Sequence, residues 1–194
     1  ISRLPRRRPA NILTSIGRLT AQKADLFLRP AGGAATALGA ILQRLGRNGV
    51  LIMVGSGESQ LQRRMAEIAR AHENFLFLCG YSETFSDMLY AAGDLFLMPS
   101  SFEPCGISQM LAMRGGQPCV VHAVGGLKDT VVDYTAARLA AGAAGTASGF
   151  TFSTFDAAHL AEAMLRAWRL YSSDRPSWRA LQRLCMRLDH SWTR

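Results

Sequence analysis

The sequence predicts an α/β fold, a doubly wound parallel sheet with helices on both faces and a Rossmann-like layout. Three observations predict it. Five short apolar runs are continuous in hydrophobicity rather than alternating, which marks strands buried on both faces. Segments of helical period separate them. Glycines and charged residues gather just after the runs, where ligands bind in such folds.

The strand runs, in order, are NILTSIG (11–17), VLIMVG (50–55), NFLFLCG (74–80), DLFLMPS (94–100) and PCVVHAV (118–124). GFTFS (149–153) is a weaker sixth. A helix over 58–72 places Leu61, Met65, Ile68 and Ala69 on one face, with arginines opposite. The next opens at Ser82, a capping residue, and stops at Gly93. ISQMLAMRGG closes at Gly115 and Gly116. Two helices end the chain: one stacks Leu160, Met164, Leu165 and Trp168, the other Trp178, Leu181, Cys185 and Leu188. The Ala/Gly-rich stretch 136–149 reads as a flexible surface loop.

With 194 residues, 48% of them hydrophobic, the chain can bury one substantial core. No apolar run is long enough to span a bilayer, and Arg18 interrupts any signal-like segment, so no membrane partner is expected. The net charge is +8, and Arg3, Arg6, Arg7 and Arg8 supply half of that excess from a leading arm. No aromatic-rich basic stripe accompanies it, which argues against nucleic acid as a partner. Cys79, Cys105, Cys119 and Cys185 form no CxxC pair and read as reduced thiols of a cytosolic-type compartment. The four histidines are too scattered to suggest a metal site.

The strand exits carry the candidate chemistry. After the first run, Arg18 and Lys23 form either a diphosphate clamp or a pair of surface cations. The GSG after the second reads as a tight turn; close ligand approach is the competing reading. Tyr81, after the third, either stacks on a base or sugar or is an ordinary half-buried tyrosine. After the fourth, PSSFEPCGISQ combines an acid with a helix start. Cys105, Gly106, Ile107 and Ser108 offer backbone N–H groups suited to phosphate, and Gly106 permits close approach. Glu103 can accept hydrogen bonds from sugar hydroxyls, or act as a helix-start charge without a ligand. A molecule with hydroxyls beside a diphosphate, a nucleotide sugar, satisfies both halves of the motif. Gly125 and Gly126, after the fifth run, make a second loop open to phosphate or sugar.

Together GRLTAQK, the segment GYSETFSDMLYAAGDLFLMPSSFEPCGISQMLAMRGGQP, GGLKDTV, GFTF and DHSW resemble the C-terminal half of bacterial glycogen synthase and plant starch synthase. These are ADP-glucose-dependent glucosyltransferases of the GT-B fold. The resemblance covers residues 12 to 192. It implies that Arg18 and Lys23 hold the diphosphate, that the Cys105–Ser108 backbone adds donors to it, that Glu103 binds the glucosyl group and that Tyr81 stacks on adenine. It also implies retaining transfer of glucose to the non-reducing end of an α-1,4-glucan, with no metal and no cofactor beyond the donor substrate.

Several positions depart from the family pattern. Leu111 stands where many GT-B relatives carry a second glutamate. His122 replaces a frequent arginine, Val124 a usual threonine, and no glycine follows Lys23. The expected organisation is a basic arm or linker over 1–10 and a donor-binding domain over 11–194. The chain starts at Ile1 and has no glucan-binding N-terminal lobe, so it is expected to be a fragment of a bacterial cytoplasmic enzyme that turns over poorly alone. The competing expectations are a GT-B enzyme using a UDP- or GDP-sugar, and a non-catalytic nucleotide-sugar-binding module.

Overall fold

A computed structural model describes residues 9–32, 35–135 and 147–191. The leading arginines and most of the Ala/Gly-rich stretch lie outside the described residues. Its last three residues do not form a surface loop: Ala147 and Ser148 are buried, and Gly149 opens a strand.

Six strands form one sheet: β1 (Asn11–Ile16), β2 (Gly49–Gly55), β3 (Phe75–Cys79), β4 (Leu95–Met98), β5 (Cys119–His122) and β6 (Gly149–Phe152). Their order is β3-β2-β1-β4-β5-β6, and all five pairings are parallel. This is the doubly wound order, in which the connection reverses direction between β1 and β4. The fold and all six predicted runs are therefore present, the weak sixth included.

Eight α-helices occur among the described residues: α1 (Ala21–Leu28), α2 (Ala37–Leu45), α3 (Ser59–Ala71), α4 (Glu83–Ala92), α5 (Ser108–Arg114), α6 (Gly125–Thr130), α7 (Ala157–Ser173) and α8 (Arg175–Arg187). Two apolar clusters sandwich the sheet. One gathers Phe27, Leu38, Met65, Leu160 and Trp178 from α1, α2, α3, α7 and α8. The other gathers Leu89, Met113, Leu127 and Cys185 from α4, α5, α6 and α8.

Local signals explain the helix starts. Ser82, Asp156 and Asp174 each accept a backbone N–H of the turn they cap. Thr36 does the same for α2 through the Gly39 N–H. Segment 125–130 differs from expectation, being a helix rather than a loop. Its cap, Val124, has no side-chain acceptor, and the turn is held by the Gly126 N–H donating to the Glu103 carbonyl at 2.9 Å.

The buried Gln117, two residues before β5 begins, joins α4 to β1 on one face of the sheet. Its amide nitrogen donates to the Leu89 and Tyr90 carbonyls, and its oxygen accepts from the Thr14 hydroxyl. α4 is thereby fixed against β1.

Candidate functional site

The exits of β1, β2 and β3, with the first turns of α4 and α5, enclose a cleft of about 370 Å³. Arg18, Lys23, Tyr81 and Ser108, four of the predicted site residues, lie on its wall. It opens at the carboxyl ends of the strands, beside the β1/β4 reversal, where doubly wound folds bind ligands.

The cation side is built from β1 and α1. Gly17 ends the strand, and the Lys23 side chain folds back over it. A methyl group on Gly17 would stand 3.9 Å from Lys23 Nζ. Arg18, next in the chain, is exposed on the same wall. The loops after β1 and β2 are zipped together: Leu19 N–H donates to Ser56 O at 2.9 Å, and Glu58 N–H to Leu19 O at 2.8 Å. The Glu58 carboxylate accepts the Ala21 N–H at 3.0 Å, so the start of α1 already holds an anion of its own.

Glu103 meets Lys23. Lys23 Nζ lies 3.1 Å from Glu103 Oε2, with the two side chains only 19% and 10% exposed. The ammonium is at ion-pair distance but off the direction a hydrogen bond requires, so the sheltered Oε2 has no aligned donor. Neighbouring residues fix the geometry. Gln22 Nε2 donates to Phe102 O at 2.5 Å, and Ser101 N–H donates to Gln22 O at 2.8 Å. α1 thus grips the loop before Glu103 on one side and presents Lys23 to its carboxylate on the other.

Cys105, Gly106 and Ile107 form the turn into α5. Gly106 has φ +74, a region glycine enters without strain, and Gln109 fills the space beneath it. Gln109 Nε2 donates to Gly106 O at 2.9 Å and to Thr130 Oγ1 at 3.0 Å, which pins the turn from inside. The first N–H groups of α5 have no intrahelical acceptor, as at any helix start.

Gly125 and Gly126 do not line the cleft. They pack directly under the motif: a Cβ on Gly125 would overlap the Glu103 carbonyl, and one on Gly126 the Cys105 carbonyl. His122 is buried, with Nδ1 3.0 Å from Ser100 O and Nε2 3.3 Å from Ser153 O, so its ring clasps the exits of β4 and β6. Tyr81 is 79% exposed, an aromatic face offered to solvent rather than half buried. Leu111 also stands on the cleft wall.

The α4 wall was not singled out from sequence. Glu83, Ser86, Asp87 and Tyr90 all face the cleft. Their i, i+3, i+4, i+7 spacing is one helix face, a signal available to sequence reading. Burial lifts the Tyr90 phenol above its ordinary value, and its hydrogen bond with Ser108 offsets that only in part. The cleft is therefore polarised, with Arg18 and Lys23 on one side and Glu83 and Asp87 on the other. A second cavity of about 240 Å³ lies between α2 and α7, lined by Ile41, Leu160, Met164 and Trp168; Arg44 is the charged residue on its wall. Among the described residues, no group of three or more His, Cys, Asp or Glu is placed to hold a metal, and no helix is long and apolar enough to cross a membrane.

Comparison with known proteins bears on the family and the fold. Residues 10–169 match the family profile described as "Glycosyl transferases group 1". The chain is 40% identical over 180 residues to the glycogen synthase of Nitrosospira multiformis, covering 92% of this chain and 34% of that one. It is 40% identical over 184 residues to that of Yersinia pseudotuberculosis, covering 93% and 36%. It thus spans about a third of the length of these relatives. Among solved structures, the catalytic domain of starch synthase IV from Arabidopsis thaliana, bound to ADP and acarbose, superposes with a TM-score of 0.79 at 32% identity, covering 96% of this chain and 36% of that one. Sucrose-phosphate synthase from Thermosynechococcus elongatus shares the fold, with a TM-score of 0.67 at 24% identity over 94% of this chain and 41% of that one. The matched span covers most of the chain and both flanks of the cleft: the chain belongs to the group 1 glycosyl transferases and is related to the glycogen and starch synthases.

Proposed function

We propose that this chain is the donor-binding part of a retaining glucosyltransferase that moves glucose from ADP-glucose to the non-reducing end of an α-1,4-glucan. The observation that carries the reading is the convergence of Arg18, Lys23, Ser108 and Tyr81 on one cleft at the strand exits, with Glu103 against Lys23. Arg18 offers a planar two-pronged cation and Lys23 a point charge to the diphosphate. Negative charge builds on that group as the glycosidic bond breaks, and cations already in place stabilise it without reorganisation. Backbone N–H groups of the Cys105–Ser108 turn add donors on the same side. Tyr81 offers its exposed face to the adenine. Glu103, with an oxygen lacking an aligned donor, accepts sugar hydroxyls.

In this reading Gly125 and Gly126 serve the site by letting α6 seat against the motif, and the glucan is held chiefly by a lobe outside this chain. The setting is the cytoplasm of a bacterium, where the four free thiols stay reduced.

Calorimetric titration of the chain with ADP-glucose, UDP-glucose and GDP-glucose tests the reading. The expected result is saturable binding, tightest for ADP-glucose, that Arg18→Ala and Lys23→Ala each weaken. Preference for another nucleotide would reassign the donor, and no binding of any would overturn the proposal. Incubation with ADP-glucose and glycogen should give little transfer, because the chain spans only a third of its relatives; transfer at full-enzyme rates would refute that part.

A further inference from the structure

We propose that Lys23 is a shared cation that passes from Glu103 to the donor's diphosphate on binding, so that recognition of the phosphates and of the sugar is coupled through one side chain. This rests on the reading of the cleft as a nucleotide-sugar site and adds an order of events to it.

The two residues that would serve opposite ends of the donor hold each other in this structure, 3.1 Å apart and largely sheltered from water. Glu103 is the only ionic or hydrogen-bonding side-chain partner of Lys23 among the described residues. The bond between them is nevertheless incomplete. Oε2 is closed to solvent and has no aligned donor, so charge attraction alone holds it. A diphosphate, with more charge and several oxygens, outcompetes one carboxylate for the ammonium.

The move is small. The loop at Glu103 is fixed by Gln22 and by the Gly126 N–H, so the carboxylate's backbone stays in place. Lys23 needs only a swing of its four-carbon stem, which already folds over Gly17, and it shares the cleft wall with Arg18. Once Lys23 leaves, Oε2 is a sheltered anion without a partner, which is costly. A sugar hydroxyl repairs this by donating to it. A nucleoside diphosphate alone takes Lys23 and leaves Oε2 bare, whereas a nucleotide sugar does not.

The carboxylate should therefore oppose ADP and favour ADP-glucose. Calorimetry on wild-type chain, Glu103→Gln, Lys23→Met and the double variant measures this, with folding checked by thermal melting. Glu103→Gln is expected to tighten ADP roughly 2- to 5-fold, the scale of an ion pair without an aligned hydrogen bond, and to shrink the advantage of ADP-glucose over ADP. In the Lys23→Met background the gain for ADP should vanish. Equal gains in both backgrounds would mean plain repulsion of phosphate by a carboxylate and would overturn the coupling, as would no gain in either. If the wild-type chain binds neither ligand, both the cleft reading and the coupling fall; if it binds ADP and Glu103→Gln changes nothing, only the coupling falls. A crystal structure of wild-type chain with ADP gives an independent readout that needs no variant. Lys23 Nζ is expected within about 3 Å of a phosphate oxygen and away from Glu103, and its persistence on Oε2 would overturn the proposal.

Discussion

Gly126 lies so close to Cys105 that no side chain fits between them: its α-carbon hydrogen faces the Cys105 carbonyl, and its N–H donates to the Glu103 carbonyl at 2.9 Å. The first turn of α6 and the PSSFEPCG motif are thus one packed unit. Gly126→Ala should force them apart and cost about 1–3 kcal/mol, the usual cost of overpacking. Urea denaturation at constant m-value checks the size. Donor binding should fall as well, since Glu103 moves with the unit.

Tyr81 gives the opposite separation of effects. Its ring is mostly in solvent and contributes little to the core. Tyr81→Ala should leave the melting temperature nearly unchanged and weaken ADP by about 1–3 kcal/mol, the range for stacking a base on an aromatic ring. Equal loss of stability and affinity would point to a packing role instead.

The four thiols divide by environment. Cys79 and Cys105 are exposed, while Cys119 and Cys185 are buried. Burial pushes Cys185 up to about 12 and Cys119 well above its ordinary value, so neither is a thiolate at neutral pH. A thiol-reactive dye should label two cysteines in the native chain and four in denaturant. ADP-glucose should slow labelling of Cys105, with mass spectrometry identifying the site.

Acid should loosen the last two helices. The Asp156 carboxyl is held below its ordinary 3.8 by the His159 backbone N–H and then by the His159 ring, and Asp174 by the Ser177 side chain and then its backbone N–H. A carboxyl lowered in the folded state stabilises it above the unfolded value, and that gain is lost as pH falls through the folded value. Stability measured by urea unfolding should therefore be level with respect to these groups near neutrality and decline below about pH 4. Replacing both by Asn, which keeps a capping oxygen but cannot titrate, should make that decline shallower.

Much of this architecture is legible in the residues because strands buried on both faces must be continuously apolar. Each run from Asn11 to Phe152 announces itself that way, and the caps Ser82 and Asp156 mark helices unaided. α2 is less visible although Leu38, Leu42 and Leu45 share a face, because Gly39 and the surrounding Ala/Gly residues blur its period. α6 carries a helix on a Gly-Gly start with φ +47 at Gly125, which reads locally as a loop; tertiary packing on Glu103 decides it. The membership of the cleft follows from strand exits, so Arg18, Tyr81 and Ser108 can be named in advance. The ion pair of Lys23 with Glu103 cannot. They are 80 residues apart and meet only because α1 packs its start on the loop that leaves β4.

The central place of β1 bears on how the polypeptide matures. Leu13 pairs with Leu51 on one side and with Leu95 on the other, and the Tyr171 hydroxyl reaches back to the Ala10 carbonyl. During synthesis β1 can zip to β2 early, yet its second edge stays uncovered until Leu95 has been made. From Leu51 to Leu95, at 5–20 residues per second, that interval is roughly 2 to 9 s. A greasy, half-built platform is thus on show to the cell for that time, and holdase chaperones have their natural footing on the nascent strand edge that β4 later claims.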